Sequence, residues 1–218
     1  MISAKIRINV GCGPTPTPGW VNYDNSLSVL FSKKPLFLWL LQCAKLIKPQ
    51  QQQFVDIARE YSIDHVDVAK GFPHPDQSVN AIYSSHMLEH LDVEEAKHFL
   101  SEAYRVLETG GVLRIVVPDL RKLINAYLED GDADKFIRNS LLATMRPISL
   151  VERFKYIFVG HRHHLWMYDS QSLVKILIQI GFIEVRPQDF GSTRILNPGE
   201  LNLNEREDES ICVEAVKP

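Results

Sequence analysis

The 218-residue chain has only three cysteines, Cys12, Cys43 and Cys212. They are scattered and odd in number, which argues against a disulfide framework and points to a reducing compartment. No apolar run approaches the roughly 20 residues of a membrane span, so stable membrane insertion is not expected. Residues 1–10 lack the apolar core and small-residue cleavage site of a secretory signal. A cytoplasmic protein is the expectation. The formal charge is −3, and no basic stretch with interleaved aromatics stands out. Nucleic acid is therefore not an expected partner, because it needs a local basic patch. Internal repeats and proline- or serine-rich linkers are also missing. The length suits one domain over residues 1–218, large enough to bury most of its apolar surface.

What is present is an alternation of strand-like and helix-like segments. Ile6–Val10, Trp20–Tyr23 and Val79–Tyr83 read as strands, and the Val, Leu and Ile run Val112–Val117 suits a strand buried on both faces. The clearest helix runs from Val93 to about Leu107. Asp92 with Glu95 three residues later makes a capping box, and Ala96, Phe99, Leu100, Ala103, Val106 and Leu107 recur at helical spacing. Gly110-Gly111 is read as its stop. Asp169 caps a second helix over Ser170–Ile180, followed by strands near Phe182–Arg186 and Ser210–Val216. Strand, helix, strand at these lengths is a right-handed parallel crossover, so the class is α/β, a Rossmann-like doubly wound sheet. Residues 27–62 and 131–168 do not fit the alternation and read as insertions over the sheet's carboxyl edge. The first holds the apolar run Leu36–Leu41 and the glutamines Gln50–Gln53, read as a solvated loop.

Ligands of such sheets sit at the carboxyl ends of the strands. After the first strand the chain reads Gly11-Cys12-Gly13, and glycine there admits both unusual dihedrals and close approach of a ligand. Asp24, ending the second strand, is placed to accept both hydroxyls of a ribose. Asp67 and the backbone of Val68 offer what an adenine edge requires, and Ser84-Ser85-His86 ends a later strand. A dinucleotide site would carry a third glycine and a helix directly after the turn. Pro14, Pro16 and Pro18 stand there instead and block a helix.

The chain resembles the class I S-adenosylmethionine-dependent methyltransferases, particularly the type 11 group. The resemblance rests on Asn9-Val10-Gly11-Cys12-Gly13, Gly71-Phe72-Pro73 before Val79-Asn80-Ala81-Ile82, His86-Met87-Leu88-Glu89-His90-Leu91, Arg105 to Leu113, Tyr168-Asp169 and Gly181-Phe182. It implies about seven strands with the last, Ser210–Val216, antiparallel, and S-adenosylmethionine as cofactor. It also implies Gly11 and Gly13, with Cys12 between them, at the methionine part, Asp24 at the ribose, and Asp67 with Val68 at the adenine. Ser85 and His86 would lie beside the transferable methyl, with His86 as the catalytic candidate. The acceptor would be a small molecule, sugar-bearing or lipid-like. Asn9 stands where most relatives carry an acid, Thr15 where they carry a third glycine, and Asn25 where an apolar residue often covers the adenine. The helix after the first strand is reduced to the proline loop, so that wall of the pocket must come from elsewhere.

Two other readings compete. A chain that keeps the nucleoside pocket without chemistry would be an inactive cofactor-binding scaffold. His86-Met87-Leu88-Glu89-His90 also matches a zinc-hydrolase signature, with positions 86 and 90 sharing a face if helical. The methyltransferase resemblance explains this run without metal, and no metal ligands are assigned. His161, His163 and His164 are read as a solvated loop with one histidine packed on Trp166. Cys12 is read as a small side chain in a tight turn.

Overall fold

A computed structural model describes residues 5–43, 47–142 and 163–218. Strands β1 (Ile6–Val10), β2 (Val21–Asp24), β3 (Asp64–His65), β4 (Val79–Ser85), β5 (Leu107–Pro118), β6 (Ile183–Pro187) and β7 (Ser210–Val216) form one sheet. Its order is β3-β2-β1-β4-β5-β7-β6. β1 to β5 run parallel, and β7 pairs antiparallel with both β5 and β6. The sheet is therefore the expected Rossmann-like one, with Ser210–Val216 as its antiparallel strand. The order steps outward in both directions from β1 and β4, so the crevice between their carboxyl ends is where such sheets bind ligands.

One face of the sheet carries the main core. Helix α4 (Val93–Val106) turns Ala96, Phe99, Leu100, Ala103 and Val106 onto Ile8, Val10, Ile82, Leu113 and Ile115, all buried. Its start is fixed as expected: the Asp92 carboxylate accepts from the N–H groups of Glu94 and Glu95, each at 2.9 Å, and Glu95 Oε2 accepts from Asp92 N at 3.0 Å. The helix ends at Val106, and the chain is already extended at Leu107, so β5 begins five residues before the expected Val112. Lys217 Nζ donates to the Leu107 carbonyl at 2.8 Å, which helps draw that segment onto the sheet rather than leaving it helical. Helix α7 (Ser170–Ile180) adds Leu173 and Leu177 to the same core.

The other face carries a smaller apolar cluster with one buried ion pair, and is covered partly by irregular chain. Residues 188–209 lie over Trp20, Ala81, Tyr83, Val116 and Cys212, contributing Ile195 and Leu201 to that cluster. Arg114 and Glu214, both with fully buried side chains, form an ion pair at 2.8 Å. Arg114 also donates to the Ser192 and Leu203 carbonyls at 2.8 and 3.2 Å, while Glu214 accepts from Thr193 Oγ1 at 2.6 Å and Arg194 N at 2.9 Å. The ion pair joins β5 to β7, and the other four contacts tie the irregular segment to these strands.

The region after β2 contains α1 (Leu27–Ser32), α2 (Pro35–Cys43) and α3 (Pro49–Glu60). Gln50–Gln53 lie in the first turns of α3, not in a loop: Pro49 starts the helix and Gln51 closes a capping box with Lys48. Val29, Ala58 and Ile63 bury the Cys12 side chain. α2 buries only Leu38. Helices α5 (Leu120–Asp130) and α6 (Ala133–Ser140) follow β5 and pack through Tyr127 and Phe136. No helix among the described residues is long and apolar enough to cross a membrane.

Candidate functional site

Parallel register sets Val10 beside Tyr23 and Ser84, and Ser85 beside Val116. The turn after β1, the end of β2 and the end of β4 therefore open on one edge. Gly11 and Gly13 have φ of +64° and +51°, in the left-handed region that other residues enter at a cost. A Cβ on Gly11 would lie 2.8 Å from Met87 Cγ, so glycine is required here by contact as well as by dihedral. Gly13 N donates to Asp24 Oδ2 at 3.1 Å and Ser26 N to Asp24 Oδ1 at 2.8 Å. The glycine turn and the β2 carboxylate are thus one assembly. Cys12 N donates to the Tyr23 carbonyl at 3.1 Å. Burial first, and the Asp24 charge second, push the Cys12 thiol well above its ordinary range, which leaves it protonated and a poor nucleophile.

The proline loop takes the place of a helix through two asparagines. Asn9 Nδ2 donates to Thr17 Oγ1 at 3.0 Å in the interior. Asn22 Oδ1 accepts from Thr17 N at 2.8 Å, and its amide donates to the carbonyls of Thr17 and Trp20 at 3.1 and 3.0 Å. Trp20 Nε1 then donates to the Pro198 carbonyl at 3.0 Å, which joins this loop to the 188–209 cover. The proline loop is thereby fixed to the end of the sheet and to that cover.

Asp67 lies close by. Val66 N donates to the Asp24 carbonyl at 3.3 Å, and Asp67 and Val68 follow directly, with Val68 buried. The Asp67 carboxylate is paired with Lys70 Nζ at 2.9 Å. Asn25 accepts at its carbonyl from His65 Nε2 at 3.1 Å. The Gly71-Phe72-Pro73 turn is clamped from α4: Glu102 Oε2 accepts from Phe72 N at 3.2 Å, and Arg105 donates to the carbonyls of Phe72 and His74 at 3.3 and 3.0 Å. The Arg105 guanidinium holds the Glu102 carboxyl at about 2, well below the usual carboxylate range.

At the end of β4, His86 takes a left-handed φ of +50°, unusual for a non-glycine residue and of the kind found at functional sites. Its N–H donates to the Val116 carbonyl at 2.9 Å, and its Nε2 meets Ser210 Oγ at 2.9 Å. Nδ1 lies 3.2 Å from Glu89 Oε1. The His-x-x-Glu-His run is not a regular helix, because only Leu88–His90 forms a short 3-10 turn. His86 and His90 consequently engage different partners, Ser210 and the His163 carbonyl.

The segment 163–168 crosses this edge. Leu165 N and Trp166 N donate to the Glu89 carbonyl at 2.8 and 3.2 Å, and Tyr168 bridges to Asp119 beyond β5. Burial, followed by the Glu89 charge, pushes the Tyr168 phenol up to about 12. His164 is buried and packs edge-on against His90 with ring centroids 5.2 Å apart. His164 is thus buried where a solvated loop was expected, while Trp166 is exposed. His161 lies outside the described residues.

Sequence reading missed the Asn9–Thr17–Asn22 lattice, the Ser210 partner of His86 and the Glu89–His164 contact. Only the first had a local signal, two asparagines flanking a proline loop.

Residues 9–115 match a family model described as a methyltransferase domain. Among solved structures, an S-adenosylmethionine-dependent methyltransferase from Archaeoglobus fulgidus shares 16% identity at a TM-score of 0.53, covering 99% of this chain and 87% of the other. One from Thermotoga maritima, described as a possible histamine N-methyltransferase, shares 15% at 0.52, covering 100% and 84%. Phosphoethanolamine N-methyltransferase 2 of Haemonchus contortus, in complex with S-adenosyl-L-methionine, shares 12% at 0.50, covering 100% and 50%. No curated protein sequence matches the chain. With the sheet order described above, the match over residues 9–115 places the chain in the class I S-adenosylmethionine-dependent methyltransferases, in the type 11 group.

Proposed function

We propose that this protein transfers the methyl group of S-adenosylmethionine to a small-molecule acceptor, sugar-bearing or lipid-like. The observation that carries the reading is the hydrogen bond from Gly13 N to Asp24 Oδ2 at 3.1 Å, which unites a bare main-chain turn with a carboxylate at the carboxyl edge. The fit with the cofactor is supported at Gly13, where an added Cβ would meet nothing within 4 Å, so the turn leaves room for a ligand against its main chain. Gly11, Cys12 and Gly13 would hold the methionine part through their main chain, since the Cys12 side chain is packed away. Asp24 would take the ribose hydroxyls, and Asn25 would border the adenine. Asp67 and the Val68 main chain would read the adenine, and Ser85 and His86 would border the methyl.

When bound, the cofactor supplies a sulfonium whose methyl is already electrophilic. The protein's task is then alignment and exclusion of water. A hydroxyl or protonated amine acceptor must lose a proton, and His86 would take it at Nε2, in exchange for its bond to Ser210 Oγ. The Glu89 carboxylate, 3.2 Å from Nδ1, would stabilise the imidazolium formed.

The test is methyl transfer from labelled S-adenosylmethionine across a panel of small hydroxyl and amine acceptors. Product that falls by roughly 10²–10⁴-fold in His86→Gln, as loss of a general base does, with cofactor binding retained, supports the reading. Cofactor binding with no product over the panel would favour the scaffold.

A further inference from the structure

We propose that Glu89, His90 and His164 form a binding site for one divalent transition-metal ion, with zinc the best match to the donors. One ligand atom from each residue falls within 4.8 Å of the other two. Three further observations point to a cation. The Glu89 side chain is 1% exposed, and among the described residues neither of its oxygens receives a hydrogen bond. A buried carboxylate left in that state is costly unless paired or bound to metal. His86 Nδ1 lies near one oxygen but not in line for a hydrogen bond, and His164 Nε2 lies 3.9 Å from the same atom.

The second observation is the tautomer. His90 Nδ1 meets the His163 carbonyl at 3.0 Å, and His164 Nδ1 meets the Ser140 carbonyl at 2.8 Å. A carbonyl only accepts, so both protons sit on Nδ1 and both Nε2 atoms carry lone pairs. That is the arrangement by which backbone carbonyls orient metal-binding imidazoles. The third is rigidity. Glu89 and His90 sit in the 3-10 turn after β4, and the 163–168 segment is tied to that turn by Leu165 N and Trp166 N on the Glu89 carbonyl. His164 N donates to the Leu141 carbonyl at 3.1 Å. His164 is therefore held at its main chain and at ring Nδ1 before any ion arrives.

Two imidazoles and one carboxylate suit zinc, whereas magnesium and calcium prefer oxygen donors throughout. Three protein ligands leave a fourth position for water or an acceptor atom. A bound ion would also pin the 163–168 segment over the edge of β4 beside His86. The proposal does not depend on cofactor binding, and its test can fail while the methyltransferase reading stands.

The experiment uses the full chain, stripped with chelator and titrated with zinc against a chromophoric competitor. Cobalt(II) titration follows the visible bands of a low-symmetry site. One equivalent should bind, with the melting temperature rising as zinc is added. Glu89→Gln and His164→Asn should each weaken zinc by at least tenfold and abolish the zinc-dependent rise in melting temperature. His65→Gln, at an exposed and distant histidine, should change neither. Circular dichroism of the unloaded variants checks that they fold. Absence of stoichiometric binding by the wild type would overturn the site. So would a folded Glu89→Gln/His164→Asn double variant that binds zinc as well as the wild type.

Discussion

Glu214→Gln removes one charge and almost no volume from a pair whose two side chains are both 0% exposed. The guanidinium of Arg114 would keep its bonds to the Ser192 and Leu203 carbonyls but lose its counter-charge. The glutamine amide could no longer serve Thr193 Oγ1 and Arg194 N with two acceptor oxygens. Removing one member of a buried pair costs about 3–5 kcal/mol. For a chain of this length roughly 2–4 °C accompanies each kcal/mol, so melting should fall by about 6–20 °C. The assay is urea and thermal denaturation with thiols kept reduced, read by far-ultraviolet circular dichroism. Arg114→Met/Glu214→Leu should not restore the wild-type stability, because the Ser192 and Leu203 carbonyls, Thr193 Oγ1 and Arg194 N all lose their partners. A single-variant loss below about 1 kcal/mol, the scale of an exposed pair, would refute the reasoning. So would a double variant as stable as the wild type. The consequence reaches the site, since the segment these residues anchor leads into Ser210, the partner of His86.

Glu102→Gln should destabilise the fold at neutral pH by roughly 1–2 kcal/mol after screening of a partly exposed pair. The wild-type contribution is present above pH 4.5, the ordinary value for this carboxyl, and is lost as pH falls toward about 2. Acid titration of both proteins should therefore show their stabilities converging below pH 4.5. Cys43 is exposed, while Cys12 and Cys212 are buried with thiols pushed upward, chiefly by burial. Iodoacetamide should accordingly label Cys43 alone in the native protein, and early modification of Cys12, seen by peptide mass spectrometry, would contradict the packing described for the turn. Asn9→Ala should leave Thr17 Oγ1 without its buried partner at a cost of about 1–3 kcal/mol. It should also raise the Kd for the cofactor, measured by calorimetry, because the proline loop loses one of its ties.

Local signals were the legible part. The two glycines after an apolar strand, Asp24 at the next strand's tip, and the Asp92–Glu95 capping box depend on neighbours within a few positions, and each appears where the sequence placed it. The antiparallel last strand came from family resemblance, since nothing in Ser210–Val216 itself states direction. What escaped notice joins distant residues. Arg114 lies in a run read as buried on both faces and Glu214 in the last strand, but nothing local in either names its partner, and they meet in the interior under a cover of irregular chain. Glu89 and His164 are 75 positions apart (164 − 89) and come together only because the 163–168 backbone bonds to the turn after β4. The glutamines of α3 read as a loop because their polarity hid a helix whose buried face is as narrow as Val55 and Ala58.

The most direct measurement is isothermal calorimetry of S-adenosylhomocysteine, the demethylated cofactor, against the wild type and Asp24→Asn. Binding in the micromolar range is the predicted result for the wild type. Losing charge-assisted bonds to two ribose hydroxyls, at about 1.5–3 kcal/mol each, should weaken the variant by roughly 100-fold or more. Silence in the wild-type cell, or equal affinity for both proteins, would contradict the account.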